Sequence, residues 1–307
     1  MEIDLTVQIG KLKLKNPILL ASGTVGYGNE ISQFIDLSKI GGIVTKSISL
    51  KPRKGNPPQR ICETPSGMLN AIGLANVGLE AFIKEKIPFL KKLNTTIICN
   101  IAASSIEEYV ECTKVLNEEE SIAAFEINVS CPNVKEGGLE FGNNLDAVAR
   151  ITEKVKSVTN KTVIIKLSPN VSRISDFAKV VKENGGDAVS AINTLVGTSF
   201  NIWTRKPKIK NITGGLSGPA IKPIALAKVL EISRNVDIPI IGIGGIMNWK
   251  DAVEFMIVGA SAVQLGTVNF INPFAALEIL DGMKTYCEKM SISKISELTA
   301  SYILDEH

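Results

Sequence analysis

The residues best suited to chemistry lie in the segment 128–133, Asn-Val-Ser-Cys-Pro-Asn, which follows the short apolar run 123–127. This run predicts a buried strand that ends in a loop, and binding groups are commonly displayed on such loops. The only histidine is the terminal His307, so acid/base chemistry near neutral pH needs another group. We therefore expect Cys131 to act as a base on a flat ligand rich in amide groups. A buried structural cysteine is the alternative interpretation, because free cysteine is among the most buried residue types.

The chain around Cys131 repeats one unit: a short β-branched run, a polar or glycine-bearing loop, and an amphipathic helix. The predicted strands are Pro17–Ser22, Gly42–Ser47, Thr96–Ile101, Ala123–Asn128, Thr162–Leu167, Ala188–Asn193, Ile238–Gly242 and Ala262–Gly266. The predicted helices include Asn144–Val158, Ile174–Asn184 and Trp249–Val258. Eight successive units predict an α/β fold, a (β/α)8 TIM barrel that spans residues 1–307 as a single domain, with loop insertions at its C-terminal face. An open doubly wound sheet has the same alternation and remains the alternative.

The first residues of the chain predict a closure for this barrel. Val7–Leu12 has the pattern of an N-terminal β-hairpin, and we expect it to close the barrel floor. Chemistry in such a barrel lies at the opposite face, where the carboxyl ends of the strands meet. Nearly every predicted strand end there is polar, cationic or glycine: Ser22, Lys46, Ser47, Asn100, Asn128, Lys166, Asn193, Thr194, Gly244, Gly245, Gly266 and Thr267.

Two of these strand ends indicate a phosphate site. The segments 242–246 and 265–267 supply backbone N–H groups after the seventh and eighth strands, where barrels often hold a phosphate. Simple turn geometry is the alternative. A phosphate there, with amides and lysines around the barrel mouth, suits a flavin mononucleotide (FMN). Lys166 would then lie near the flavin edge where reduction builds negative charge, and Lys46 would face both flavin and substrate.

A ring of side chains around the mouth offers paired hydrogen-bond donors and acceptors: Asn70, Asn128, Asn193 and Thr194. The substrate is therefore expected to be a small amide heterocycle. Cys131 would remove a proton from one carbon while the adjacent carbon passes hydride to the flavin, as in a dehydrogenase of a C–C single bond. Two other classes stay open at this point. An aldolase could form a Schiff base on Lys46 or Lys166, and a non-enzymatic module could bind phosphate or flavin without turnover.

Composition narrows the class of protein. The 307 residues are 45% hydrophobic, enough for one large core, and the net charge of +3 is spread without a basic stripe, so nucleic acid is not an expected partner. The five cysteines have scattered spacings without a C-x-x-C pair, which supports neither a disulfide framework nor a metal site. The sequence shows no signal peptide and no apolar stretch of membrane-spanning length. We expect a cytoplasmic protein that has no membrane contact.

The motifs at these positions resemble those of the dihydroorotate dehydrogenases, and specifically the catalytic subunits of class 1B. The matching stretches cover almost the full length and are 21–24, 45–47, 67–74, 128–133, 165–170, 191–194, 214–219 and 242–245. The resemblance implies an FMN-containing barrel that oxidises dihydroorotate to orotate in pyrimidine biosynthesis, with Cys131 as the base and Lys46 and Lys166 beside the reacting groups.

The same resemblance implies which residues bind each ligand. One FMN per chain would be held by Ser22, Lys46, Ser47, Asn100, Asn128, Lys166, Ile192, Gly218, Gly244, Gly245, Gly266 and Thr267. Substrate would be held by Lys46, Asn70, Ala71, Ile72, Gly73, Leu74, Asn128, Asn193 and Thr194.

The resemblance also implies how electrons leave the chain. Relatives with serine at the position of Cys131 form the membrane-associated, quinone-using class, so this residue argues against that class. The segments 134–138 and 204–207 look more like class 1B, in which a partner subunit with FAD and a two-iron two-sulfur cluster delivers electrons to NAD. Catalytic subunits would form a homodimer within a heterotetramer. The fumarate-dependent class 1A shares the cysteine and remains the alternative.

Overall fold

The computed structural model describes residues 3–130, 135–136 and 139–304, with the backbone alone at 135–136 and 139–141. The strands, in chain order, are β1 (Val7–Ile9), β2 (Leu12–Leu14), β3 (Ile18–Leu20), β4 (Gly42–Val44), β5 (Ile61–Thr64), β6 (Gly67–Asn70), β7 (Thr96–Ile101), β8 (Ala124–Asn128), β9 (Lys135–Glu136), β10 (Leu139–Glu140), β11 (Thr162–Lys166), β12 (Ala188–Ala191), β13 (Leu195–Thr198), β14 (Phe200–Asn201), β15 (Lys206–Pro207), β16 (Thr213–Ser217), β17 (Ile240–Ile243) and β18 (Ala262–Leu265).

Eight of these strands close into a parallel barrel. Their order is β3, β4, β7, β8, β11, β12, β17 and β18, and β18 pairs with β3. The predicted (β/α)8 barrel is therefore confirmed, and the open doubly wound sheet is wrong. β3, β4 and β12 end two or three residues earlier than predicted, although the N–H groups of Ala21, Thr45 and Ile192 still donate to carbonyls of the neighbouring strands.

Helices surround the barrel. They are α1 (Leu79–Ala81), α2 (Ile87–Leu90), α3 (Ile106–Asn117), α4 (Leu145–Lys156), α5 (Ile174–Glu183), α6 (Lys222–Asn235), α7 (Trp249–Ile257), α8 (Val268–Ile271) and α9 (Ala275–Lys289). A π-helical turn, Phe82–Lys86, joins α1 to α2. The three helices predicted by range correspond to α4, α5 and α7 within two residues at each end. In the part of the chain that is described, no helix combines the length and apolar character needed to cross a bilayer.

Local chemistry explains where these helices begin. The Ser105 hydroxyl accepts a hydrogen bond from the Glu108 N–H at the start of α3, and the Asn144 side chain accepts one from the Ala147 N–H at the start of α4. Each cap satisfies a backbone donor that the helix itself leaves without a partner. These caps define where the chain turns from each barrel strand end into its helix.

The predicted N-terminal hairpin is confirmed as β1 paired with β2. Its turn residue Gly10 has φ of +57°, and a Cβ atom built on it would lie 2.8 Å from the Cβ atom of Asp187. Asp187 directly precedes β12, and its carboxylate accepts a hydrogen bond from the Val163 N–H in β11. The hairpin therefore packs at the amino ends of the barrel strands, which leaves the opposite face for binding.

Two insertions form a separate antiparallel sheet over that opposite face. The strands β5 and β6 come from the connection between β4 and β7, and β13 and β16 come from the connection between β12 and β17. They pair in the order β13, β16, β6, β5, with Asn70 opposite Gly215. This insertion sheet joins residues 145 apart in sequence, Asn70 and Gly215, and it confirms the predicted insertions.

Candidate active site

The carboxyl ends of β8, β11 and β12 place the central polar residues side by side. Asn128 and Lys166 are register partners on β8 and β11, and Lys166 is the register partner of Ser190 on β12. Parallel neighbours in register expose their end groups at the same edge of a sheet. Two of the predicted site residues, Asn128 and Lys166, are therefore adjacent at the barrel mouth.

A chain of hydrogen bonds connects the predicted amide residues. The Asn193 side-chain nitrogen donates to Asn128 Oδ1 over 3.2 Å, and Asn193 Oδ1 accepts from the Thr194 N–H over 2.8 Å. The Tyr109 hydroxyl donates to the Asn128 carbonyl oxygen over 2.7 Å. These bonds fix Asn128, Asn193 and Thr194, all half-buried, at one side of the mouth.

The insertion sheet brings Asn70 to the same place. The Asn70 side-chain nitrogen donates to the Gly215 carbonyl oxygen over 3.3 Å, and a Cβ atom built on Gly215 would lie only 2.6 Å from the Thr194 Cβ atom. Glycine is therefore needed at position 215 for Thr194 to pack against β16. Asn70, Asn128, Asn193 and Thr194, the four residues predicted to recognise an amide heterocycle, are linked through this one cluster.

The remaining predicted substrate residues follow Asn70 in a half-buried loop. The loop contains Ala71, Ile72, Gly73 and Leu74. Asn56 anchors it, because the Asn56 side chain donates to the Ala71 carbonyl over 2.9 Å and the Asn56 N–H donates to the Ile72 carbonyl over 3.0 Å. This segment can therefore offer backbone groups of fixed position beside the amide cluster.

The predicted phosphate glycines meet at the start of α6. A Cβ atom built on Gly245 would lie 2.8 Å from the Lys222 nitrogen and 3.0 Å from the Gly218 carbonyl oxygen, and Gly245 has φ of +72°. The Thr267 hydroxyl donates to the Ser217 hydroxyl over 2.9 Å, which brings the end of β18 to the same point. The N–H groups of Ala220, Ile221 and Lys222 donate to backbone carbonyls, whereas the N–H groups of Gly244 and Gly245 have no partner among the described residues. Successive backbone N–H groups without partners bind anions, so the glycine segment beside α6 suits a phosphate.

The two lysines predicted to be catalytic have different surroundings. The half-buried Lys46 makes no side-chain hydrogen bond or ion pair among the described residues, and its backbone N–H donates to the Gly26 carbonyl. Lys166 is only 7% exposed, and its Nζ atom lies 3.7 Å from Glu126 Oε1. Of the two lysines, Lys166 is therefore the one with an acidic partner among the described residues.

Glu126 was not predicted from the sequence, and it lies at the centre of the barrel. Its fully buried carboxylate accepts hydrogen bonds from Asn100, Ser190 and Gln264 over 2.7, 2.9 and 2.6 Å. Buried polar groups need such partners. The available signal was a polar residue inside each of three apolar strand sequences, AFEIN, AVSA and AVQL, a pattern that is costly unless those residues meet.

The residues present fit a flavin. The Asn100 side-chain nitrogen donates to Glu126, and the buried Asn100 Oδ1 atom has no hydrogen-bond partner among the described residues. Apart from its chain neighbours, the one described residue within 4 Å of a Cβ atom built on Gly266 is Ala21, at 3.9 Å, so there is room beside this strand end. The other predicted cofactor residues lie just beyond β3, β4 and β12: Ser22 is half-buried, and Ser47 and Ile192 are buried.

The cysteines differ in their ability to act as a base. Cys131, the predicted base, and the neighbouring residues 132–134 lie outside the described residues. Burial raises the pKa of the Cys99 and Cys112 thiols to about 12 and also raises the pKa of Cys287. These three thiols are therefore protonated at neutral pH. Within the described ranges, no three His, Cys, Asp or Glu side chains are grouped to hold a metal ion.

A closed barrel with polar groups at its mouth and a glycine-lined anion site defines a cofactor-dependent enzyme of the TIM-barrel class. The chain belongs to the dihydroorotate dehydrogenase family, because the family's sequence profile matches residues 4–286. Membership of this family implies a bound flavin, and the geometry of the barrel mouth is compatible with one.

Similar proteins within the family share one name. The chain is 49% identical over 295 residues to "Dihydroorotate dehydrogenase B (NAD(+)), catalytic subunit" of Bacteroides fragilis, covering 96% of this chain and 97% of the relative. Proteins of the same name from Trichlorobacter lovleyi and Thermoanaerobacter sp. strain X514 are each 51% identical. They match over 298 and 303 residues, which are 97% and 99% of this chain and 98% and 100% of the relatives. The words "catalytic subunit" imply that those proteins work with a partner subunit.

Proposed function

We propose that this chain oxidises dihydroorotate to orotate in pyrimidine biosynthesis, with FMN bound at the barrel mouth and NAD as the final electron acceptor. The observation that carries this proposal is the linked cluster of Asn70, Asn128, Asn193 and Thr194, in a chain of the dihydroorotate dehydrogenase family. Amide and hydroxyl groups can pair with the ring N–H and C=O groups of dihydroorotate.

The cluster at the start of α6 would hold the FMN phosphate. Gly218, Gly244, Gly245, Gly266 and Thr267 surround that point, and their backbone N–H groups would act as its donors. Asn100 would present its unpaired Oδ1 atom as an acceptor. Ser22, Ser47, Asn128 and Ile192 would contribute from the neighbouring strand ends. When bound there, FMN would supply an acceptor for hydride from carbon and a donor of one or two electrons to the next carrier.

Cys131 would remove the proton from the substrate carbon. Its thiolate would take the proton, the electrons of that C–H bond would form the new C=C bond, and hydride would pass from the adjacent carbon to the flavin. The other cysteines with raised pKa are unsuited to this step, because their thiols are buried and protonated. The buried Lys166 would stabilise negative charge on the reduced cofactor, and Lys46 would orient cofactor and substrate.

A Schiff-base aldolase is disfavoured by two observations. The family is one of dehydrogenases, and the Lys166 ammonium is ion-paired with Glu126. An ammonium group has no lone pair with which to form an imine. The aldolase would also leave the amide cluster without a role.

For the electron acceptor, we propose a partner subunit that carries FAD and a two-iron two-sulfur cluster. The relatives that match this chain over 97% to 100% of their own length carry "NAD(+)" and "catalytic subunit" in their names. No dinucleotide-binding G-x-G-x-x-G fingerprint follows the first strand of the sequence. Electrons would therefore cross an interface before they reach NAD. Catalytic subunits would pair as a homodimer within a heterotetramer.

The test combines a spectrum with an acceptor assay. The purified chain should carry one flavin, and anaerobic dihydroorotate should bleach its absorbance, whereas dihydrouracil, which lacks the carboxylate, should do so far more slowly. NAD reduction should require the partner subunit. Fast turnover of the isolated chain with fumarate would place it in class 1A, and a purified chain without flavin would refute the proposal.

A further inference from the structure

The barrel interior contains a polar network centred on Glu126. The carboxylate is 0% exposed, and its partners come from four other strands of the barrel: Asn100 on β7, Lys166 on β11, Ser190 on β12 and Gln264 on β18. Burial of a lone carboxylate costs several kcal/mol. Three donors and one cation offset that cost, so the carboxylate is fixed in place rather than tolerated as an isolated charge.

The contact with Lys166 differs from the other three. At 3.7 Å, the Lys166 Nζ atom is close enough for an ion pair but too far for a hydrogen bond. No hydrogen bond from this ammonium is made to any described residue. The three N–H donors of Lys166 are therefore available to a ligand at the barrel mouth, while its charge is balanced from below by Glu126.

Two amides in the network have a second use. Asn100 and Gln264 each donate their side-chain nitrogen to Glu126, and each keeps a buried oxygen with no partner among the described residues. Either side-chain amide can rotate by about 180° and present its oxygen to residue 126 instead of its nitrogen. The network can consequently accept a neutral glutamine in place of Glu126 without leaving a donor facing a donor.

We propose that Glu126 is the positioning residue and counter-ion of Lys166, and that through this pair it lowers the reduction potential of the bound flavin. This inference rests on the proposed function, in which Lys166 lies beside the flavin. A buried anion opposes the negative charge that reduction adds, and in a low-dielectric interior this effect is only weakly screened. A lower potential makes the reduced cofactor a better donor to the next carrier.

The experiment measures the flavin midpoint potential of the holoenzyme by dye-coupled titration. Glu126→Gln should raise the potential. A tenfold change in the ratio of reduced to oxidised flavin at a fixed potential corresponds to about 30 mV for a two-electron couple, and a shift of at least this size is expected. Lys166→Met should lower the potential, and the double variant should lie above Lys166→Met. Thr152→Val, which removes a buried hydroxyl bonded to Val148 in α4, is the matched control and should leave the potential unchanged.

The double variant also covers the case in which Glu126→Gln alone fails to fold. Removing both charges together leaves neither unpaired, so the double variant should unfold at higher urea concentration than either single variant. A Glu126→Gln enzyme with the wild-type potential overturns the inference, as does a double variant with the potential of Lys166→Met.

The outcomes separate this inference from the proposed function. If the wild-type chain binds flavin and Glu126→Gln shifts the potential, but dihydroorotate is not oxidised, the proposed function fails and the role of Glu126 stands. If dihydroorotate is oxidised and the potentials do not differ, only the role of Glu126 fails. A wild-type chain that binds no flavin overturns both.

Discussion

Gly215→Ala should weaken substrate recognition while leaving the flavin in place. The new Cβ atom would lie 2.6 Å from the Thr194 Cβ atom. Ordinary carbon contacts are at about 3.5 Å or more, so Thr194 must move by about 1 Å. A misplacement of about 1 Å can cost about 100-fold in rate, and overpacking costs about 1–3 kcal/mol. We expect kcat/KM for dihydroorotate to fall by about 10- to 100-fold, or about 1.4–2.7 kcal/mol.

The assay is flavin reduction by dihydroorotate under anaerobic conditions, with flavin content measured in parallel. Gly197→Ala is the matched control in the same sheet, because its Cβ atom would meet the end of the Leu69 side chain at 2.9 Å and the Leu216 Cβ atom at an ordinary 3.6 Å. If Gly215 acts through Thr194, adding Thr194→Ala to Gly215→Ala should cost little more. A Gly215→Ala enzyme with wild-type kcat/KM, or an equal loss in Gly197→Ala, would refute the reasoning.

The remaining predictions concern the base, the cofactor and alkaline stability. Cys131→Ala should keep its flavin yet slow flavin reduction by dihydroorotate about 10²- to 10⁴-fold in stopped-flow traces; near-normal reduction would exclude Cys131 as the base. Among the described residues other than its chain neighbours, the nearest atom to the new methyl group of Gly266→Ala is the Ala21 Cβ atom at 3.9 Å, so urea unfolding of the flavin-free protein should be unchanged while the ratio of flavin to protein absorbance falls. The folded chain raises the pKa of Cys99 from 9.0 to about 12 by burial. The unfolded chain therefore loses this proton first, and the stabilisation is complete below about pH 9 and declines as pH rises toward 12. Urea unfolding should show that the free energy of unfolding of Cys99→Ala falls below that of wild type by about 1 kcal/mol less at pH 10 than at pH 8. Equal differences at both pH values would contradict the buried thiol.

Much of the fold was predictable because its signals are local. Thr96–Ile101 is an apolar β-branched run, and its prediction matches β7 residue for residue. Strand ends such as Lys166 are marked by a charge after such a run. Local patterning of this kind is enough to place side chains at the mouth of a barrel once the eight strands are counted.

The rest depends on contacts between residues far apart in sequence. Nothing near Asn70 indicates that it pairs with Gly215, because this register is set by two insertions that meet only in the folded chain. Glu126 was missed for a similar reason. Its partners Asn100 and Gln264 are 26 and 138 residues away, so the isolated charge in β8 resembles an error in an apolar strand until the barrel closes around it.

The polar centre of the barrel also specifies how its strands align. Side chains in a strand alternate between two faces, so a slip of β8 by one residue would turn Glu126 out of the barrel and into the helix layer. A strand with apolar side chains alone could tolerate that slip at modest cost, since aliphatic side chains face both layers. The carboxylate cannot, because Asn100, Ser190 and Gln264 would all lose an acceptor at once. The contacts of Glu126 thus favour one register among five strands of the barrel, whether or not a cofactor binds above it.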